Sequence, residues 1–184
     1  MKDLFSGSVK CDCTSTGYVG ATCGIYFPYG PQTNVNEEKL SLGGWTVCHY
    51  ESMDVQQSSA SIDNILGKCW KSKLIMGCRM YDSSKIDLLA AAPNAKEALK
   101  VTRDNGQIIN GSKWYRRRGH SYGFAHESSK IIKSISNYAD TGTGMAELRL
   151  SYNLNIGNTG GYRCGSNLNL NNSSDWQRLY YHAD

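Results

Sequence analysis

Glu147-Leu148-Arg149-Leu150-Ser151-Tyr152-Asn153-Leu154-Asn155-Ile156 alternates polar and apolar side chains without a break. Successive side chains of a strand point to opposite faces, so this stretch predicts a half-buried antiparallel strand. Leu148, Leu150, Tyr152, Leu154 and Ile156 would face a core, and Glu147, Arg149, Ser151, Asn153 and Asn155 would face water. Working outward, Gly43-Gly44-Trp45-Thr46-Val47-Cys48 opens a second strand, with aromatic and β-branched residues after a glycine turn. Residues 73–80 and 86–92 read as buried strands, and residues 176–181 as a closing strand that ties down the C-terminal end. Asn105-Gly106 and Asn110-Gly111 are turn signals of the hairpin type. Two short helices interrupt this pattern. One covers residues 61–66, with Ser61 as its cap and Ile62, Ile65 and Leu66 on one face; the other covers residues 93–99, with Pro93 near its start. The sum is a β-rich α+β fold, an antiparallel sheet domain with two short helices, and no internal repeat or low-complexity tract.

Composition narrows the class further. The 184 residues include 19 glycines and 12 tyrosines but only 3 prolines, and charged residues make up 20%. That balance suits an extracellular β-rich module, and the length allows a sizeable hydrophobic core. A net charge of +4 argues against a nucleic-acid binder. No apolar run reaches the length of a membrane span. Met1-Lys2-Asp3-Leu4-Phe5-Ser6 lacks the apolar core of a signal peptide, so a mature chain without its leader is expected.

Cysteines stand at 11, 13, 23, 48, 69, 78 and 164, an odd number that leaves at least one free or paired outside the chain. No C-x-x-C occurs, and His49, His120, His126 and His182 show no ligand spacing, so disulfides are favoured over zinc. Cys11-Asp12-Cys13 followed by Gly17-Tyr18-Val19-Gly20-Ala21-Thr22-Cys23 resembles the C-terminal half of an EGF-like domain. The resemblance implies a two-stranded ribbon bridged by Cys13 and Cys23, with Cys11 left without the upstream partner of a complete domain. A ribbon that small needs a disulfide, and a disulfide needs an oxidising compartment. Cys48, Cys69, Cys78 and Cys164 would then form two bridges, with three connectivities open. The domain reading is an EGF-like remnant at 1–23, a connector at 24–42, and a β-rich recognition module at 43–184.

Three stretches of that module resemble a family of secreted modules from extracellular proteins of marine invertebrates and bacteria. They are Gly43-Gly44-Trp45-Thr46-Val47-Cys48; Asn110-Gly111-Ser112-Lys113-Trp114-Tyr115 with Ser121-Tyr122-Gly123-Phe124-Ala125; and Gly160-Gly161-Tyr162-Arg163-Cys164-Gly165-Ser166 with the ending at 176–184. The family implies an autonomous secreted domain without a known activity. Where its members carry Cys-Trp-His, this chain has Ser151-Tyr152-Asn153, so one bridge and one histidine are not carried over. Gly43-Gly44-Trp45-Thr46, and Cys164 followed by Asn167-Leu168-Asn169, are also distantly similar to fibrinogen-like and intelectin-type recognition domains. That likeness implies lectin-like carbohydrate binding, often beside calcium.

Several groups could carry chemistry. Gly119-His120-Ser121-Tyr122-Gly123 matches the G-x-S-x-G elbow of serine hydrolases, with Asp140, Asp175 and His182 downstream in the required order. The following Phe124-Ala125-His126-Glu127 does not look like an apolar helix, so a strand and turn are expected instead. Arg116, Arg117 and Arg118, with Trp114, Tyr115 and His120, form the densest basic and aromatic group and the candidate ligand site. Guanidinium forks suit sulfated or sialylated glycans, and an aromatic ring packs on a sugar's apolar face. Trp45 and Trp176 are assigned to the core, and Trp114 and Tyr115 to the surface. Residues 167–175, with Asn153, Asn155 and Asn158, offer oxygen ligands to calcium but only one carboxylate, Asp175. Asn110, Asn171 and Asn172 begin N-x-S glycosylation sequons. The leading expectation is a secreted, non-catalytic binding or cell-adhesion module for a glycan or another extracellular partner. The alternatives are a self-associating structural subunit, linked through Cys11 or through strand edges, and a small hydrolase using Ser121.

Overall fold

The computed structural model describes residues 18–19, 25–102, 106–131, 144–154 and 161–184. In chain order its strands are β1 (Tyr18–Val19), β2 (Ile25–Tyr26), β3 (Gln32–Asn36), β4 (Thr46–Ser52), β5 (Lys73–Met80), β6 (Lys85–Ala92), β7 (Gln107–Ile109), β8 (Ser112–Arg117), β9 (Ser121–His126), β10 (Leu150–Asn153), β11 (Arg163–Cys164), β12 (Asn167–Leu168) and β13 (Trp176–Ala183). The helices are α1 (Glu37–Leu42), α2 (Ser59–Lys68) and α3 (Ala95–Ala98), with 3-10 turns at Ala146–Leu148 and Leu170–Asn172. A five-stranded sheet runs β3-β6-β5-β13-β4, a six-stranded sheet runs β12-β11-β10-β9-β8-β7, and β1 pairs with β2 alone. Every pairing is antiparallel.

The order within the five-stranded sheet follows from side-chain character. Strands β5, β6 and β13 are buried on both faces over most of their length, so they occupy the three inner positions. The segment at 176–181, expected to close the domain, is thus an interior strand between β5 and β4. One face of this sheet meets the six-stranded sheet across a shared core, with Leu74, Met76 and Ala90 on one side and Trp114, Phe124, Leu150 and Tyr152 on the other. Cys78–Cys164 ties β5 to β11 across that core, and Cys48–Cys69 ties β4 to the end of α2. These loops span 86 and 21 residues. In the chain-entropy picture they contribute roughly 4–5 and about 3 kcal/mol.

The other face of the five-stranded sheet carries a second core of Ile75, Leu89, Ala91, Leu179 and Tyr181, partly covered by Leu40, Tyr26 and Trp45. The Trp45 indole donates to the Tyr26 carbonyl and stacks on Phe27 at 5.9 Å. Residues 26–42 supply an edge strand, a helix and part of a core. Cys11, Cys13 and Cys23, and with them the bridge expected from the EGF-like resemblance, lie outside the described residues.

Two helices stand near the expected places, and α1 is a third. Ser58, not Ser61, caps α2; Ser61 is the third helical residue and closes a reciprocal capping box with it. Asn94 caps α3. Asn110 (φ 49°) and Gly111 (φ 70°) make the tight hairpin turn between β7 and β8. The alternating stretch forms β10, preceded by a 3-10 turn, and both of its faces are buried. Leu150 and Tyr152 face the shared core, while Ser151, on the opposite face, accepts a hydrogen bond from the Tyr115 hydroxyl at 2.7 Å. Asn155 and Ile156 lie outside the described residues.

Candidate functional site

The expected ligand cluster does not assemble as one surface. Strand β8 is paired on both sides, by β7 and β9, and its side chains alternate between two buried faces. Trp114 and Tyr115 are fully buried, with Trp114 packed on Phe124 at 5.2 Å. Their assignment to the surface is corrected: both are core. Arg116 is also buried, and it joins β8 to α2. It bonds Asp63 at 3.0 Å, the Ser59 carbonyl at 3.1 Å and the Leu99 carbonyl at 3.3 Å. Only Arg117 and Arg118 at the β8–β9 turn are exposed, and His120 is half-buried.

Ser121 is buried in the first position of β9 and pairs with Arg117 on one side and Asn153 on the other. It stands on an antiparallel strand, so no strand–turn–helix elbow forms there. Gly123 has a packing reason, because a Cβ there would run into the Leu150 carbonyl. His182 lies in the other sheet, Asp175 is exposed, and Asp140 is outside the described residues.

The sequons also separate. The Asn110 amide donates to the carbonyls of Pro28 at 2.7 Å and Ala91 at 3.1 Å, so it holds the hairpin against the other sheet rather than standing free. Asn171 is buried, and Asn172 is exposed. Burial of Asn171 also takes it away from any surface calcium cage, and Asp175 remains the lone carboxylate of that segment. Among the described residues no three His, Cys, Asp or Glu side chains gather as metal ligands. No helix among them is long and apolar enough to cross a membrane.

Two polar regions emerge instead, on opposite faces of β5, β13 and β4. Inside the sandwich, Arg178 is fully buried, bonds Glu51 at 2.5 Å and lies over the rings of Tyr162 (5.1 Å) and Tyr152 (5.5 Å). The same guanidinium nitrogen donates to the carbonyls of Ser52 and Val55. The Tyr180 and Tyr122 hydroxyls are 2.6 Å apart, Tyr122 donates to the Gln57 side chain, and Gln57 donates to Glu51 at 3.0 Å. Burial pushes the Glu51 carboxyl up, but the His49 hydrogen bond, the Arg178 charge and the bonds from Gln57 and Arg178 outweigh it and hold it at about 2. Burial pushes the Tyr180 phenol up to about 12 despite the opposing Arg178 charge. Burial likewise raises Tyr122 and Tyr152, so these phenols stay neutral.

On the outer face a cleft of about 360 Å³ opens beyond the part covered by α1. Tyr50 from β4 and Tyr81 just past β5 flank it, with 66% and 58% of their surface exposed. Glu37, Arg79, Gln177 and Leu179 line the rest. Arg79 pairs with Glu37, and Glu37 also accepts from the Tyr181 hydroxyl at 2.5 Å. Gln177 donates to the Tyr81 carbonyl at 3.0 Å, and the Tyr81 amide donates to the Asp175 carbonyl at 2.7 Å. The backbone under Tyr81 is thus held, and pairing of β4 with β13 holds that under Tyr50, while both rings stand in water. Sequence reasoning missed this cleft. The strand opening at Gly43–Cys48 was readable, but its run on to Ser52, and which of its faces stays uncovered, depend on where β13 and α1 pack.

The fold and these two regions define a disulfide-linked protein of two facing antiparallel sheets. No family model, no curated protein and no solved structure matches the chain.

Proposed function

We propose that this chain is an extracellular recognition module that binds a neutral glycan between Tyr50 and Tyr81, and that it works by recognition rather than catalysis. The observation that carries this reading is the pair of tyrosines, each more than half exposed, beside buried-edge polar groups in one cleft. A pyranose packs its C–H face on an aromatic ring, and its hydroxyls need donors and acceptors close by. Arg79 and Glu37 supply both, and their ion pair leaves little net charge in the cleft, which favours a neutral sugar. The Cys48–Cys69 and Cys78–Cys164 bonds support an oxidising, secreted setting.

A glycan array run on the disulfide-intact protein, with calcium and with a chelator, tests the reading. Binding of neutral glycans that Tyr50→Ala or Tyr81→Ala abolishes supports it. A blank array, or binding indifferent to both substitutions, overturns it. Loss of binding on chelation would bring calcium into the site. One observation favours a second reading, self-assembly: β4 is a seven-residue edge strand carrying the exposed Thr46, Val47 and Tyr50. Light scattering separates the two, since assembly predicts a dimer or larger species that Val47→Lys disperses.

A further inference from the structure

We propose a second site, around Trp70, that takes a sulfated polysaccharide. Trp70 directly follows Cys69, the C-cap of α2, so the Cys48–Cys69 bond fixes the backbone beneath it. Its indole is 71% exposed, the highest exposure among the four tryptophans, and it rests edge-on against His182 at 5.7 Å. A large apolar ring left mostly in water contributes little to the fold and is a ready stacking surface.

The ring forms one wall of a hollow of about 290 Å³, whose other walls include Lys71, Ser72, Asn94 and Lys96. Asn94 uses its side-chain oxygen to cap α3, accepting from the Glu97 amide at 3.1 Å. That bond orients the side chain and leaves its NH2 group for a ligand. Ser72 is exposed and adds a hydroxyl. Lys96 forms no ion pair among the described residues, while Lys71 is 3.0 Å from Asp184. Lys73 donates to the main-chain oxygen of Asp184. Lys71 and Lys73 thus share Asp184, Lys96 lines the hollow without an opposing carboxylate, and the nearby Glu97 is matched by Lys100 at 3.6 Å.

This combination specifies the ligand class. The indole suits the C–H face of a sugar ring, Asn94 and Ser72 suit its hydroxyls, and the ammonium groups suit sulfates. A membrane surface fits less well, because the hollow is concave and Trp70 is its one exposed apolar side chain. A nucleic acid would call for a longer cationic track. The site is independent of the Tyr50–Tyr81 cleft, so either can fail without the other.

The test is titration of a heparin-derived octasaccharide into the disulfide-intact full chain, read by iodide quenching of tryptophan fluorescence. Trp45 and Trp114 are buried, so the quenchable signal comes chiefly from Trp70. Binding should shield that signal and weaken steeply with salt. Trp70→Ala and Lys96→Gln, both at exposed positions, should each weaken binding about tenfold by calorimetry without moving the thermal midpoint, and Tyr50→Ala should leave it unchanged. The proposal is overturned by no binding, by equal binding of a desulfated octasaccharide, or by equal or tighter binding of phosphatidylserine vesicles or an oligonucleotide. Binding lost only on joint substitution of Arg117 and Arg118 would overturn it as well.

Discussion

Two groups of tyrosines in one protein, the inner rings and the exposed pair, lead opposite lives. Tyr180 on β13, with Tyr122, Tyr152 and Tyr162 opposite, lies within the sandwich, whereas Tyr50 on β4 and Tyr81 just past β5 stand in water on the far side of the same sheet. A buried phenol is costly unless its hydroxyl is bonded, and the inner ones comply: Tyr180 to Tyr122, Tyr122 to Gln57, Tyr152 to the Gly77 carbonyl at 3.1 Å. Their positions are explained by folding alone. The exposed rings of Tyr50 and Tyr81 have no such part in folding, and that contrast is the ground for proposing binding at the uncovered part of the outer face, beside the second core.

The largest effect should come from cutting the inner face loose. Replacing Cys78 and Cys164 together with Ala removes the link between β5 and β11, and urea unfolding should show a loss of roughly 4 kcal/mol. A loss below about 1 kcal/mol would mean the two sheets hold together without it. Next is Glu51→Gln, which leaves the buried Arg178 without its carboxylate. Breaking a buried pair costs about 3–5 kcal/mol; Glu51 keeps a quarter of its side chain exposed, so about 2–3 kcal/mol is expected.

The same carboxylate sets an acid limit. Its folded pKa, about 2, lies below the ordinary 4.5, so the ionised form stabilises the fold. That contribution is complete above pH 4.5 and is lost as pH falls through 2, on the order of 2 kcal/mol after screening by solvent. Thermal midpoints of the wild type should drop over this window more steeply than those of Glu51→Gln. Parallel curves would remove Glu51 from the acid response.

Much of the sheet was legible in the sequence, and for a physical reason. Residues 73–80 and 86–92 are apolar on both faces, a mark that survives whatever packs around them, and the Asn110-Gly111 turn follows from backbone sterics alone. Legibility ended where a position depends on distant neighbours. Ser151 looked solvent-facing by alternation, yet it is buried and bonded to Tyr115, because a polar residue fits inside wherever a partner arrives from another strand. Trp114, Tyr115 and Arg116 looked like a surface cluster because they adjoin Arg117 and Arg118. Pairing of β8 on both sides, and Asp63 reaching from α2, draw them inward. The Tyr50–Tyr81 cleft joins residues from four separate elements or their ends, and no local pattern marks it.

The smallest effect on stability belongs to the outer face, and there it is the decisive one. Tyr50 and Tyr81 expose most of their rings, so Tyr50→Ala and Tyr81→Ala should each change the unfolding free energy by no more than about 0.5 kcal/mol. An inner counterpart, Tyr180→Ala, removes a fully buried ring and a hydroxyl partner and should cost about 3–5 kcal/mol. Glycan binding should invert the ranking. Either outer substitution should weaken it at least tenfold, while Tyr122→Phe, which keeps the inner ring, should leave it unchanged. If Tyr50→Ala instead destabilises the fold as Tyr180→Ala does, the outer ring is a structural element, and the division of labour between the buried and the exposed rings does not hold.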